Sequence, residues 1–168
     1  MIELTPLDKD EWMPRIRVQV LTDVSEARAA LEELDAAGIH PSIQSLQILA
    51  QRDPAAEWPE AYVVRLNWKP ASIIGWADAE YHDHRRAVLA WETAARYRDH
   101  AYMREAAPRI VQWLVRRRGV REVQADIPIG DLPSEKVAAV AGLTASAELN
   151  GIGTRRIWTT ARPEDPEV

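Results

Sequence analysis

Leu89-Ala90-Trp91-Glu92-Thr93-Ala94-Ala95-Arg96-Tyr97-Arg98-Asp99-His100-Ala101-Tyr102-Met103-Arg104-Glu105-Ala106 is the stretch around which the chain is organised. It reads as a strand that stops, a tight polar turn, and the start of a helix at Tyr102. A helix that begins just after a strand leaves its first N–H groups unpaired beside the positive end of its dipole. Such a joint is suited to phosphate. Arg98 is the side chain best placed to add charge to it, with His100 and Arg104 close by.

Working outward, residues 61–67 and 73–81 read as strands separated by the turn Lys69-Pro70-Ala71-Ser72, and residues 82–86 turn the chain into the strand that carries Trp91. Residues 61–95 are therefore expected to form an antiparallel meander. On the other side of the joint, Ala106, Ile110, Trp113 and Leu114 recur at three and four, predicting a helix closed by Arg116-Arg117-Arg118 and Gly119. Pro108 falls inside that helix, where it removes a hydrogen bond and costs about 3 kcal/mol. Either the helix runs through it with a kink, or it starts at Ala107-Pro108 and the phosphate turn is longer. Residues 120–129 read as a strand, Pro133 opens a helix ending near Ala141 and stopped by Gly142, and strands follow at residues 144–150 and 155–161.

The N-terminal third has weaker signals. Residues 2–7 predict a short edge strand limited by Pro6. Trp12, Ile16, Val20 and Leu21 fall at helical spacing, so residues 8–24 are expected to be helical with Pro14 in the first turn. Ser25 precedes a second helix that Gly38 stops. After His40-Pro41, Ile43, Leu46, Ile48 and Leu49 suggest a further short helix, and residues 51–59 form a proline-bearing loop with Trp58.

Composition narrows the function. The chain has 168 residues, no cysteine and a formal charge of −5. This length suits one domain, and the missing cysteines exclude disulfides, Cys-ligated metals and a thiol nucleophile. Net negative charge argues against nucleic-acid binding and fits a cationic or amine-bearing partner. No apolar run is long enough to span a bilayer, and Met1-Ile2-Glu3-Leu4 lacks the basic start of a secretory signal, so a cytoplasmic protein without a membrane partner is expected. Asp78, Glu80, His82, Asp83 and His84 read as a mixed-charge turn, and no metal site is expected there.

The joint resembles that of the GNAT N-acetyltransferase superfamily, whose form is L-G-Y-E-hydrophobic-x-P-x-Y-R-G-x-G-Y-A-x-E-A. Leu89, Trp91 and Glu92 fit its strand; Tyr97, Arg98, Tyr102, Glu105 and Ala106 fit its turn and helix. Asp99 and Ala101 replace the glycines of the family's pyrophosphate loop, and Met103 replaces a small residue. The loop is thus degenerate, and Asp99 adds a charge that repels phosphate. A second segment, from Asp131 through Ser134 and Val137 to Gly142 and Leu143, resembles the family's N-x-x-S-x-x-V-x-x-x-x-G-F.

The resemblance implies an α/β (α+β) fold: a mixed, mostly antiparallel central sheet with helices on both faces. It implies one domain over residues 1–168, with residues 1–60 on the acceptor side, residues 61–161 as sheet and acyl-CoA-binding core, and residues 162–168 as a frayed tail. Acetyl-CoA would be the co-substrate and a primary amine of a small molecule or peptide the acceptor. A ligand- or partner-binding protein of the same fold with reduced catalysis is the alternative, and exposed strand edges would permit a homodimer. Cofactor contacts are implied for Trp91, Thr93, Arg98, Asp99, His100, Ala101, Tyr102, Met103, Arg104, Asp131 and Ser134.

Glu92 is the leading candidate to hold or deprotonate the acceptor amine; its other reading is a solvated strand carboxylate. His84 is a second candidate because imidazole titrates near neutrality, although it sits in a charged turn. Ala138 stands where relatives often carry Tyr as proton donor, which leaves Ser134 for that role or as part of a helix cap. Asp131 can accept hydrogen bonds from a pantetheine arm or cap the helix it precedes.

Overall fold

Alternation, not helical spacing, governs the segment before the first helix: Ile16, Val18 and Val20 are buried while Arg17 and Gln19 are partly exposed. This overturns the helix expected over residues 8–24 wherever it can be seen. The apolar set also satisfies a period of two, and the strands Ile2–Leu4 and Glu60–Leu66 on either side pair with the segment, burying that alternate face in the sheet. In the computed structural model, which describes residues 2–6, 14–21, 24–39, 60–82 and 85–161, these residues are a strand. The short helix and loop expected over residues 43–59, including Trp58, lie outside the described residues.

In chain order the elements are β1 (Ile2–Leu4), β2 (Ile16–Leu21), α1 (Val24–Ala36), β3 (Glu60–Leu66), β4 (Lys69–His82), β5 (Arg86–Thr93), a 3-10 helix (Ala95–His100), α2 (Tyr102–Arg116), β6 (Glu122–Pro128), α3 (Leu132–Val140), β7 (Thr144–Asn150) and β8 (Arg155–Thr159). The strands form one sheet ordered β1-β2-β3-β4-β5-β6-β8-β7. All pairings are antiparallel except β5 with β6. The expected meander is present as β3–β5, but its first turn is Asn67-Trp68, and Lys69 already belongs to β4.

Helices cover both faces. Ala27, Ala30 and Leu34 of α1 pack with Ala61, Val63 and Trp76 on one face. On the other, Ala106, Ile110 and Leu114 of α2 and Val137 and Ala138 of α3 pack with Tyr62, Leu89, Val123 and Ile127. A fully buried Leu or Ile at such a contact contributes roughly 1.5–3 kcal/mol, which fixes where the N-terminus of α2 meets the sheet. α2 runs from Tyr102 through Pro108 to Arg116, so the helix does not restart at Pro108. α3 ends in a Schellman motif: Leu143 N–H returns to the Ala138 carbonyl at 3.0 Å, Gly142 N–H to Ala139 at 3.1 Å, and Gly142 takes φ 94°.

Candidate active site

Two strands that begin as partners and then part create the site. β5 and β6 pair only at Arg86–Val88 with Glu122–Gln124, and β5 then continues to Thr93 and β6 to Pro128 without a shared ladder. On its other side β5 stays paired with β4, and Ala94 N–H donates to the Ile74 carbonyl at 2.8 Å. Antiparallel alternation therefore turns the backbone N–H and C=O of Trp91 and Thr93 away from β4, into the gap. The Thr93 carbonyl accepts Arg98 Nε at 3.2 Å from that side.

A cavity of about 500 Å³ opens over the gap. Trp91, Glu92 and Thr93 form its floor on β5, and Ser134 and Val137 of α3 line the opposite wall with Asp131. Arg98, Asp99, Ala101, Tyr102, Met103 and Arg104 close its upper end. A smaller cavity of about 170 Å³ shares Trp91, Asp131 and Ser134 with it and reaches Asp126 and Arg155. Ten of the eleven residues expected to contact a cofactor thus surround one space. His100 does not line it: its ring stacks on Tyr102, with centroids 5.5 Å apart.

The polar turn carries more structure than the sequence indicated. A 3-10 helix occupies Ala95–His100, and Ala101 then takes φ 59°, ψ 22° before α2 begins. A right-handed residue followed by a left-handed one aims successive N–H groups at one point, an anion-binding nest. Among the described residues no side chain caps α2, which leaves its first N–H groups at the end of the cavity without a capping side chain. α3 differs: Asp131 Oδ1 accepts Ser134 N–H at 3.3 Å. The capping role of Asp131 is thereby present, and Ser134 is among the residues that line the cavity.

Asp99 is exposed at the rim, and Met103 is buried, its Cε reaching the space above Gly75. Ala138 is fully buried against the core and does not line the cavity. Glu92 and Asp78 share the face opposite α2, because Trp76 and Glu92 are register partners, as are Asp78 and Ala90. Asp78 accepts Trp76 Nε1 at 2.9 Å, and burial raises its carboxyl above the usual range. His84, with Asp83, lies outside the described residues; among those described, no three His, Asp or Glu side chains converge as metal ligands would. Nor is any described helix long and apolar enough to cross a membrane.

A family model described as an acetyltransferase (GNAT) domain matches residues 3–144. The chain belongs to the GNAT acetyltransferase family. Solved GNAT structures share the fold at low identity. A ribosomal-protein-S5-alanine acetyltransferase from Vibrio fischeri superposes with a TM-score of 0.67 at 14% identity, over 92% of this chain and 97% of that one. A GNAT-family acetyltransferase from Bacillus anthracis gives 0.61 at 11%, over 94% and 96%. A spermidine N-acetyltransferase variant from Vibrio cholerae gives 0.64 at 12%, over 86% and 92%. No curated protein matches the sequence significantly.

A GNAT domain implies acetyl-CoA as acyl donor, and the residues present fit that group. The uncapped N-terminus of α2, the nest at Ala101 and the cations of Arg98 and Arg104 suit a diphosphate, and the gap offers backbone donors and acceptors to an amide-bearing arm. Pro133 and Val137 also line the cavity; the sequence marks the first as a helix start and the second as a position of the second motif, but it does not mark either as a cofactor contact.

Proposed function

We propose that the protein transfers an acetyl group from acetyl-CoA to a primary amine of a small molecule or peptide. The observation that carries this reading is the parting of β5 from β6 beneath an uncapped helix N-terminus. Acetyl-CoA supplies an activated thioester. The first N–H groups of α2, with Arg98 and Arg104, hold its diphosphate, and the outward backbone groups of Trp91 and Thr93 hold its arm. The glycine-poor loop remains usable because its contacts come from backbone amides, which Ala101 presents without glycine.

Glu92 holds the acceptor ammonium and takes its proton, since only the neutral amine is a nucleophile. The Thr93 N–H is aimed to stabilise a developing oxyanion. Ser134 Oγ, on the opposite wall, is the hydroxyl placed to return a proton to the departing thiol. His84 remains a second candidate for proton transfer. The related structures named for a polyamine and a ribosomal-protein alanine both have amine acceptors, which agrees with the net charge of this chain.

A ligand that binds only the folded state raises its stability, by about 2.7 kcal/mol at a hundred times Kd. Thermal unfolding with and without acetyl-CoA is therefore the first test, followed by thiol release with a panel of amines. No shift at millimolar acetyl-CoA would overturn the reading. A shift without thiol release from any amine would move the protein to the binding-only alternative.

A further inference from the structure

One guanidinium brackets the left-handed residue of the phosphate turn. Arg15 lies just ahead of β2, far from the turn in sequence. Its Nη2 donates to the His100 carbonyl at 3.1 Å and to Glu105 Oε2 at 2.6 Å, while Nε donates to Glu105 Oε1 and Oε2 at 3.2 and 3.0 Å. Its Cζ sits 4.8 Å from the centroid of the Tyr102 ring. Arg15 therefore grips the residue before Ala101, the residue after it, and a residue one turn into α2. It does not line the cavity itself.

Alanine resists the left-handed region, which glycine enters freely. Left to its local preference, Ala101 would leave φ 59°, ψ 22°, and the nest formed with His100 would disperse. A bidentate Arg–carboxylate pair fixes direction as well as distance. Holding the His100 carbonyl and Glu105 on one rigid fork sets the chain on both sides of Ala101, so the angle between them is no longer Ala101's to choose. Arg15 also neutralises Glu105, whose carboxylate lies in the first turn of α2 near where an anion would bind.

We propose that Arg15 is a positioning residue for acyl-CoA: it holds the glycine-less turn in the left-handed conformation that aims backbone amides at the diphosphate. The inference rests on the reading of the cavity as an acyl-CoA site. As an exposed ion pair the Arg15–Glu105 contact does little for global stability, so its effect belongs in ligand affinity.

The test uses the full chain and isothermal titration with acetyl-CoA and with S-acetyl-pantetheine, which lacks the diphosphate. Arg15→Met is expected to weaken acetyl-CoA about tenfold and leave the diphosphate-free fragment unchanged. Arg15→Lys keeps the charge but not the fork, so it should show most of the same loss. Ala101→Gly placed on Arg15→Met should recover most of the lost affinity, because glycine takes the turn unaided. Circular dichroism melts check that each variant folds, and Arg15→Lys carries the test if Arg15→Met does not.

Wild-type binding with no loss in Arg15→Lys overturns the inference alone. So does equal loss for both ligands, or no recovery with glycine. Failure of the wild type to bind acetyl-CoA overturns the reading beneath it as well.

Discussion

Glu60 and Arg118 form an ion pair, with the carboxylate buried and the guanidinium partly so, that ties the first residue of β3 to the chain just beyond α2. The Glu60 side chain is 1% exposed, and its Oε2 accepts Arg118 Nη2 at 2.6 Å and Nε at 3.0 Å. Its Oε1 accepts the Tyr62 hydroxyl at 2.6 Å and Trp113 Nε1 at 2.7 Å. Burial, together with the neighbouring carboxylate, pushes the Tyr62 phenol well above its usual value. Glu60→Ala would strip four donors of their acceptor, and removing one partner of a buried pair costs about 3–5 kcal/mol. Tyr62→Phe removes one donor and should cost about 1 kcal/mol. Urea denaturation of both variants checks the ratio; equal costs would mean that Glu60 is not the hub of the network.

Gly75 sits where β4 passes beneath the site. A Cβ built there would lie 2.9 Å from Met103 Cε and 3.3 Å from the Glu92 carbonyl oxygen. Gly75→Ala is therefore expected to displace Met103 and press on β5, costing about 1–3 kcal/mol as overpacking does. Shortening Met103 to Ala in the same chain should recover part of the loss, a non-additivity expected of residues in contact. Thermal melts of the two single variants and the double variant measure it. Strict additivity would show that the two positions do not meet.

How far the sequence reveals this molecule depends on where each element takes its partners. The strand-turn-helix joint, the stops at Gly119 and Gly142 and the Asp131 cap are local chemistry, and they stand where their residues indicate. β2 carries a helical signature in the sequence because Ile16 and Val20 fit a period of four as well as a period of two, and what makes it a strand is pairing with β3, tens of residues downstream. The left-handed turn at Ala101 was invisible for the same reason. Alanine does not announce positive φ, and the guanidinium that brackets it comes from Arg15, 85 positions ahead of His100. Most candidate contacts were legible because one short stretch supplies them; His100, whose ring stacks on Tyr102, is the one that does not line the cavity.

Asp78 gives stability a pH dependence of unusual sign. Burial is the main cause raising its carboxyl above 3.8, Glu80 adds to it, and the Trp76 hydrogen bond opposes it. Between 3.8 and the raised value the folded state binds more protons than the unfolded chain. The contribution of Asp78 therefore falls as pH rises through that window, and at neutral pH its charge is a penalty. Asp78→Asn keeps an acceptor for Trp76 and removes the penalty, so its unfolding temperature at neutral pH should exceed that of the wild type. The difference should vanish once the medium is acid enough to protonate Asp78 in the folded state. Melts followed from about pH 4 to pH 7 test this, and a lower melting temperature for Asp78→Asn at neutral pH would show the charge to be stabilising.

Glu92 separates binding from chemistry. It lines the cavity together with the Arg98 and Arg104 cations that the proposal assigns to the diphosphate, and is itself assigned to the acceptor amine instead. Glu92→Gln keeps the shape and loses both the negative charge and the proton acceptor. Acetyl-CoA affinity should stay within about twofold of wild type, while thiol release near neutral pH should fall about a hundredfold, the usual scale of one general-base contribution. Raising the pH deprotonates free amine in solution, so the variant should regain rate relative to wild type as pH climbs toward the amine's own pKa. A constant ratio between variant and wild type across pH would assign Glu92 to holding the acceptor rather than to taking its proton. An unchanged rate at all pH values would remove Glu92 from the reaction and leave proton transfer to another group.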